Sequence, residues 1–193
     1  MGQSKTKLNI ITCGLDNSGK TSIINQLKPA SVQSEHITAT VGYSVEVLER
    51  EDVKFTVFDM GGAKKFRGLW ESYYESINGV IFVVDSADEL RLCVAKEEIE
   101  LMLQHPDIAR ELPGKDGVKI PFLFYANKMD LPNAKTPAEL VDLLELTTLM
   151  GDRPFNIFAS NALKGKGVSE GLHWLQNTLM WQKDAIRAKK RRK

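Results

Sequence analysis

Cysteine is scarce, with only Cys13 and Cys93 in 193 residues. Neither has a partner at metal-ligand spacing, and two are too few for a disulfide scaffold. We therefore expect two reduced thiols in a cytosolic protein. The three histidines, His36, His105 and His173, lie far apart without flanking ligands, so no zinc site is expected. No apolar run approaches the roughly 20 residues that cross a bilayer, and no secretory leader is visible. Internal repeats and flexible linkers are missing too. What is there is ordinary for a globular protein, 42% hydrophobic and 26% charged, and long enough for one domain with a real core.

A net charge of +1 hides an asymmetry. Arg187 to Lys193 holds six basic residues and no acid, which leaves 20 basic against 25 acidic residues in the body, about −5. Such a tail suits an anionic membrane or a nucleic acid, or is simply a solvated end. At the other end, Met1-Gly2-Gln3-Ser4-Lys5-Thr6 fits the N-myristoylation pattern, with Gly2 as acceptor.

The chemistry concentrates in Gly14-Leu15-Asp16-Asn17-Ser18-Gly19-Lys20-Thr21, a G-x-x-x-x-G-K-[ST] phosphate-binding loop. An apolar, β-prone run over 8–13 precedes it, and Ile23, Ile24 and Leu27 follow at helical spacing, so it joins a strand to a helix over about 19–28. The glycines permit turns that a Cβ would block, and the amides of Asn17 to Thr21 and Ser22 face inward at a helix N-terminus. Lys20 would reach the β- and γ-phosphates, and the Thr21 hydroxyl would bind Mg²⁺.

Further along, residues 30–40 read as an exposed loop. Val41, Tyr43, Val45 and Val47 alternate with polar residues, as do Val53, Phe55 and Val57 after a charged turn, which predicts a β-hairpin. It ends at Phe58-Asp59-Met60-Gly61-Gly62 and a polar segment, Ala63 to Arg67. The all-apolar run 79–84 predicts a central parallel strand. A helix carries Leu92, Ala95, Ile99 and Met102 and stops near Pro106, and 106–119 reads as a long loop. A strand over 121–126 runs into Asn127-Lys128-Met129-Asp130. Thr136-Pro137-Ala138-Glu139 is a capping box that starts another helix. Strand 155–159 and a final helix with Val168, Leu172, Leu175 and Leu179 on one face complete the pattern. The expectation is a doubly wound α/β fold, six strands, mostly parallel, with one antiparallel edge strand. We expect an N-terminal extension over 1–7, a nucleotide-binding domain over 8–183 and a basic tail over 184–193.

N-K-x-D at a strand end names the base. The Asp130 carboxylate can accept from both N1–H and N2–H₂ of guanine, a donor pair that adenine lacks. Lys128 can lie along the base, Asn127 can brace the phosphate loop, and the Ala159 amide, beside Ser160, can meet the guanine carbonyl. A P-loop nucleotide kinase or another metabolic enzyme of nucleoside triphosphates is the alternative, but no Arg-rich lid is visible, and the basic tail is terminal.

These elements, with Thr40-Val41-Gly42-Tyr43 and Asp59-Met60-Gly61-Gly62, resemble the Arf/Arl family of Ras-superfamily GTPases from about residue 8 to 180. Ala95-Lys96-Glu97-Glu98, His105-Pro106-Asp107-Ile108 and Phe58-Asp59-Met60 look most like the branch that recruits the BBSome coat to cilia. The resemblance implies a small-GTPase fold and a monomeric GTP/GDP switch with Mg²⁺. An effector or coat, an exchange factor and an activating protein would be its partners, with possible membrane contact and no nucleic acid. It places the protein in the cytoplasm, near membranes at the base of a cilium or flagellum. It implies that Thr40 binds Mg²⁺ and senses the γ-phosphate, that Asp59 holds Mg²⁺ through water, and that the Gly62 amide donates to the γ-phosphate. Tyr43, Phe58, Trp70 and Tyr73 would form an aromatic effector surface.

Two departures matter. The family's interswitch hairpin shifts together with an N-terminal amphipathic helix, and the seven residues before the first strand are too few for one. The family also usually carries Gln after Gly-Gly to orient the attacking water, and here that position is Ala63. Catalysis would then rest on Lys20, Mg²⁺ and backbone amides, giving slow intrinsic hydrolysis.

Overall fold

A computed structural model describes residues 5–111 and 117–190. Gly2 and residues 191–193 of the basic tail lie outside the described residues. Six strands form one sheet in the order β2-β3-β1-β4-β5-β6. They are β1 Thr6–Cys13, β2 Tyr43–Arg50, β3 Val53–Met60, β4 Gly79–Asp85, β5 Phe122–Asn127 and β6 Phe155–Ala159. Among the strands of the described residues only the β2–β3 pair is antiparallel, as Ser44 opposite Asp59 and Arg50 opposite Val53 show. The six-stranded, mostly parallel sheet with one antiparallel edge strand is the expected fold.

The all-apolar strands work because the sheet is covered on both faces. Alternate residues of β4 feed two separate cores. Val80, Phe82 and Val84 pack on one side, and Ile81 and Val83 on the other. β5 divides in the same way, with Phe122 and Phe124 against Leu123 and Tyr125. Each such side chain is worth about 1.5–3 kcal/mol on burial, so these strands are the rigid floor from which the loops project.

The helices are α1 Lys20–Leu27, α2 Lys64–Arg67, α3 Leu92–Gln104, α4 Pro106–Ala109, α5 Pro137–Leu143, α6 Leu146–Met150 and α7 Val168–Lys190. The predicted capping box is present at α5, where Thr136 accepts from the Glu139 amide and Glu139 accepts from the Thr136 amide. Val168, Leu172, Leu175 and Leu179 of α7 are all buried in the core shared with α1. α7 sits close to β5: a Cβ on Gly171 would meet the Tyr125 ring at 2.6 Å, and the Tyr125 hydroxyl donates to Val168 O at 2.6 Å.

Several elements depart from the sequence reading. β1 begins at Thr6, inside the supposed extension, because the Thr6 amide donates to Asp52 O. The supposed loop after Pro106 starts with α4, capped by the His105 ring, which accepts from the Asp107 amide at 3.2 Å. The polar segment after Ala63 is α2, followed by a 3-10 stretch, Trp70–Ser76. α7 continues through Lys190, so most of the supposed tail from 184 onward is helical.

β2 shows the largest surprise. Its alternation is real, but the apolar set faces outward: Tyr43, Val45 and Val47 are each about half exposed. The polar side turns toward α1, where Glu46 meets Lys28 at 2.8 Å.

Candidate nucleotide site

The loops that follow β1, β3, β4, β5 and β6 gather beyond the carboxyl ends of the strands, where ligands of doubly wound sheets bind. The first is the phosphate loop between β1 and α1. Gly14 has φ +134° and lies so close to Val83 O that a Cβ would collide with it, and Gly19, at φ +96°, packs on the Asn127 carboxamide. Asn17 adopts a left-handed φ of 61°, which asparagine tolerates better than most residues. These conformations leave room for an anion rather than for side chains.

Lys20 is buried, and its Nζ donates to Leu15 O at 2.8 Å. Burial pushes its ammonium below the ordinary lysine value, against the pull of Asp59. A buried cation beside a nest of amides awaits an anion. The Ser18 hydroxyl is buried without a partner in the same loop.

Beside Lys20, three oxygens converge. Thr21 Oγ1 donates to Asp59 Oδ2 at 2.6 Å, lies 2.8 Å from Thr40 Oγ1, and Thr40 Oγ1 reaches the same carboxylate oxygen at 3.5 Å. Asp59 is fully buried, and burial raises its pKa despite the Thr21 bond. Its other oxygen, Oδ1, is buried with no hydrogen-bond partner. Two hydroxyls and a carboxylate form a hard-oxygen set, and the orphaned Oδ1 leaves acceptor capacity unused. The residues fit Mg²⁺.

Gly61 and Gly62 follow. The Gly61 amide donates to Gly42 O at 2.8 Å, which ties this loop to the start of β2. Gly62 lies so close to the backbone of Leu15 and Asp16 and to Lys20 Nζ that no side chain would fit there. Ala63 and Lys65 line the cleft, whereas the Lys64 side chain, a candidate stand-in for the missing Gln, is exposed outside it.

On the base side, Asn127 Nδ2 donates to Ser18 O at 2.9 Å, and its Oδ1 accepts from the Ala162 amide at 3.0 Å and the Ser160 hydroxyl at 3.2 Å. One buried carboxamide therefore fastens the phosphate loop to the loop after β6. Lys128, at φ 65°, pairs with Asp85 at 2.7 Å. Asp130 is exposed at the end of the same loop. Ala159 is the exposed end of β6, and the Ser160 amide is already engaged by Ala126 O. The amide that reaches Asn127 is that of Ala162, three residues beyond Ala159.

The phosphate groups, Thr21 and Thr40 border a cleft of about 670 Å³, which runs from Asn17 and Lys20 past Thr40 to Ala63 and Leu163, and Asp59 lines an adjoining cleft with Thr21 and Thr40. That is the size of a small-molecule site. Sequence reading missed Ala162, Leu163 and Asp85. Their signal is purely spatial, since each only ends or follows a strand.

Of the four aromatic residues, Tyr43, Phe58 and Tyr73 cluster, with ring centroids 5.1 Å and 4.7 Å from Tyr73. Trp70 does not belong to that surface. It is 2% exposed, packs edge-on against Phe82, and its indole N–H donates to Gly61 O at 3.1 Å. An indole of that size is held inside by its apolar contacts and its satisfied N–H.

A phosphate loop, a hydroxyl–carboxylate cation cluster and an N-K-x-D element on this sheet define a small GTPase of the P-loop class. The ADP-ribosylation factor family model matches residues 1–179, and the chain belongs to that family. It is 46% identical over 179 residues to ADP-ribosylation factor-like protein 6 of Danio rerio, covering 93% of this chain and 92% of that one. The Caenorhabditis briggsae protein of the same name is 40% identical over 178 residues, covering 92% and 90%. A solved structure described as the Arl6 BBS3 small GTPase from Trypanosoma brucei with bound nucleotide analogue GppNp is 68% identical. It covers 92% of this chain and 99% of its own, with a TM-score of 0.86.

Proposed function

We propose that the chain is a GTP-dependent binding switch that recruits an effector or coat protein while it holds GTP. The carrying observation is the Thr21–Thr40–Asp59 oxygen cluster, because Thr40 follows the exposed stretch 34–39 whereas Thr21 sits in the first turn of α1. Thr21 and Thr40 would hold Mg²⁺ directly and Asp59 through water. The ion neutralises phosphate charge when bound. Lys20 and the inward amides hold the β- and γ-phosphates, Gly62 offers its amide to the γ-phosphate, and Asp130 reads guanine. Loss of the γ-phosphate removes the reason for Thr40 and Gly62 to stay closed.

Ala63 cannot orient a water molecule, so hydrolysis is slow and the GTP state long-lived. The exposed Tyr43, Val45 and Val47 and the half-buried Phe58 and Tyr73 form the effector face. The likeness to the BBSome-recruiting branch supports a trafficking role at membranes near a cilium or flagellum base. Acylated Gly2 and the basic C-terminus would act as two weak anchors. Lys183 Nζ donates to Thr6 Oγ1 at 3.1 Å, which places the start of β1 against α7.

The test is release of fluorescent GDP and GppNp from wild type and Thr40→Ala, with and without a Mg²⁺ chelator. Chelation should speed release of both from wild type at least about tenfold. Thr40→Ala should lose retention of GppNp and keep that of GDP. Equal release of the two nucleotides from Thr40→Ala would refute the switch.

A further inference from the structure

Two side chains from the segment after Gly62 hold the two glycine carbonyls. Trp70 Nε1 donates to Gly61 O at 3.1 Å, and Arg67 Nε donates to Gly62 O at 2.9 Å. A trans peptide points its N–H opposite its C=O, so the grip of Trp70 on Gly61 O turns the Gly62 N–H away from the indole. Arg67 fixes the next peptide unit in the same manner.

Arg67 does more than cap a turn. Its Nη1 lies 2.9 Å from Glu98 Oε1 on α3, and its Nη2 lies 3.9 Å from Asp16 Oδ1 in the phosphate loop. The Arg67 and Glu98 side chains are only 13% and 19% exposed, so the close pair is largely out of water. Asp16 is in turn 3.2 Å from Arg91 Nη1, and Arg91 pairs with Asp88. One guanidinium thus spans the Gly-Gly loop, the phosphate loop and the helix behind them. Its planar fork donates from Nε and Nη1 at once while Nη2 faces Asp16 as a charge, which a lysine ammonium cannot do in that geometry.

We infer that Arg67 is a positioning residue that latches Gly62 over the phosphate loop and thereby sets the preference for a nucleoside triphosphate over a diphosphate. This rests on the switch reading above, in which the Gly62 amide meets only the γ-phosphate. The diphosphate is held by other groups in that reading: the amides of the phosphate loop, Lys20, and Asp130 at the base. Removal of Arg67 frees Gly62 O and leaves the Glu98 carboxylate, largely out of water, without its partner. Asp16 keeps Arg91. The damage therefore falls on the γ-phosphate end and spares the rest of the cleft.

The experiment measures GDP and GppNp affinities of wild type, Arg67→Gln, Arg67→Lys and Glu98→Gln, with melting temperatures in parallel. Arg67→Gln should bind GppNp about tenfold more weakly or worse, with GDP affinity within about twofold of wild type. Arg67→Lys should fall between, because it keeps the charge beside Glu98 but loses the fork. Glu98→Gln, which touches neither loop covalently, should shift the GppNp-to-GDP ratio in the same direction by a smaller factor. An equal loss for both nucleotides in folded variants, or an unchanged ratio, overturns the assignment of Arg67. A wild type that binds neither guanine nucleotide overturns the switch reading as well, so the two failures are distinct.

Discussion

Asn127 offers the sharpest quantitative check on the site. The side chain is 2% exposed and makes three hydrogen bonds, to Ser18 O, from the Ala162 amide and from the Ser160 hydroxyl. Asn127→Ala removes all three. The Ser160 hydroxyl still has Ala126 O within reach at 3.4 Å, so it is not orphaned. Two backbone groups are: Ser18 O and the Ala162 N–H. Leaving a buried polar group unpaired costs about 1–3 kcal/mol. The vacated space adjoins Gly19 and the open cleft, so water can partly serve both groups, and about 2–3 kcal/mol in total is the expected cost. For a chain of this length 1 kcal/mol lowers the melting temperature by about 2–4 °C, so the fall should be about 4–12 °C. Differential scanning calorimetry on nucleotide-free protein reads it. Asn127→Asp is the stricter partner variant. It keeps the acceptor for Ala162 but turns the donor facing Ser18 O into a second oxygen, so it should be no more stable than the alanine variant. If Asn127→Ala melts within about a degree of wild type, or Asn127→Asp is the more stable of the two, the carboxamide does not fasten the two loops together.

Other consequences are as direct. Ala63→Gln should raise single-turnover GTP hydrolysis by about ten- to a hundredfold, because a water-orienting group returns to a residue that lines the cleft; equal rates would mean that another group orients the water. Val45→Thr and Val47→Thr should change unfolding free energy by less than about 0.5 kcal/mol, because both side chains are half exposed; a cost of about 2 kcal/mol in urea titrations would show that this face is covered in solution. The Glu139 carboxyl lies below its ordinary value because it accepts from the Thr136 amide and hydroxyl. A lowered folded pKa contributes stability that is present above the unfolded value near 4.3 and lost as pH falls through the folded one. Glu139→Gln should therefore be slightly less stable than wild type at pH 7 and show a flatter decline below about pH 4.3, as pH-dependent melting would show.

The parts that could be read in advance are those whose chemistry is local. Gly14 and Gly19 need their backbone angles whatever surrounds them, and Thr136-Pro137-Ala138-Glu139 closes its own capping box. β4 and β5 are apolar on both faces because both faces are covered. The misreadings share a cause: period names a face without saying what lies over it. β2 alternates cleanly, yet its valines face solvent and its Glu46 faces α1. Trp70 sits among polar residues in a 3-10 stretch whose three-residue turn hides the helical period, and only the tertiary structure brings its indole to Gly61 O. α4 was masked by Pro106, which reads as a stop but here occupies the first helical turn behind the His105 cap. Arg67, one cation in a charged segment, carries no pattern at all.

The same contrast explains why a single phosphate is enough to move the loops we assign to the switch. The strands below them are held by side chains worth about 1.5–3 kcal/mol each on burial. Residues 34–39 are exposed apart from the links of Ser34 to Asn25 of α1, and what ties the following residues to the body is three polar contacts. Thr40 meets Thr21 and Asp59, and Gly42 O accepts from Gly61. At about 0.5–1.5 kcal/mol net for each hydrogen bond, these contacts total only a few kcal/mol, against the loop's ordering entropy of about 1–2 kcal/mol per residue. Over the six residues 34–39 the ordering cost exceeds what these contacts return, so the loop's own interactions do not hold it closed without a ligand. Moving a two-state element from 1:99 to 99:1 takes about 5.5 kcal/mol of differential binding. In the switch proposed above, a γ-phosphate engaging Lys20, the Gly62 amide and the cation cluster together would supply that much, and a diphosphate that met neither Gly62 nor Thr40 would not.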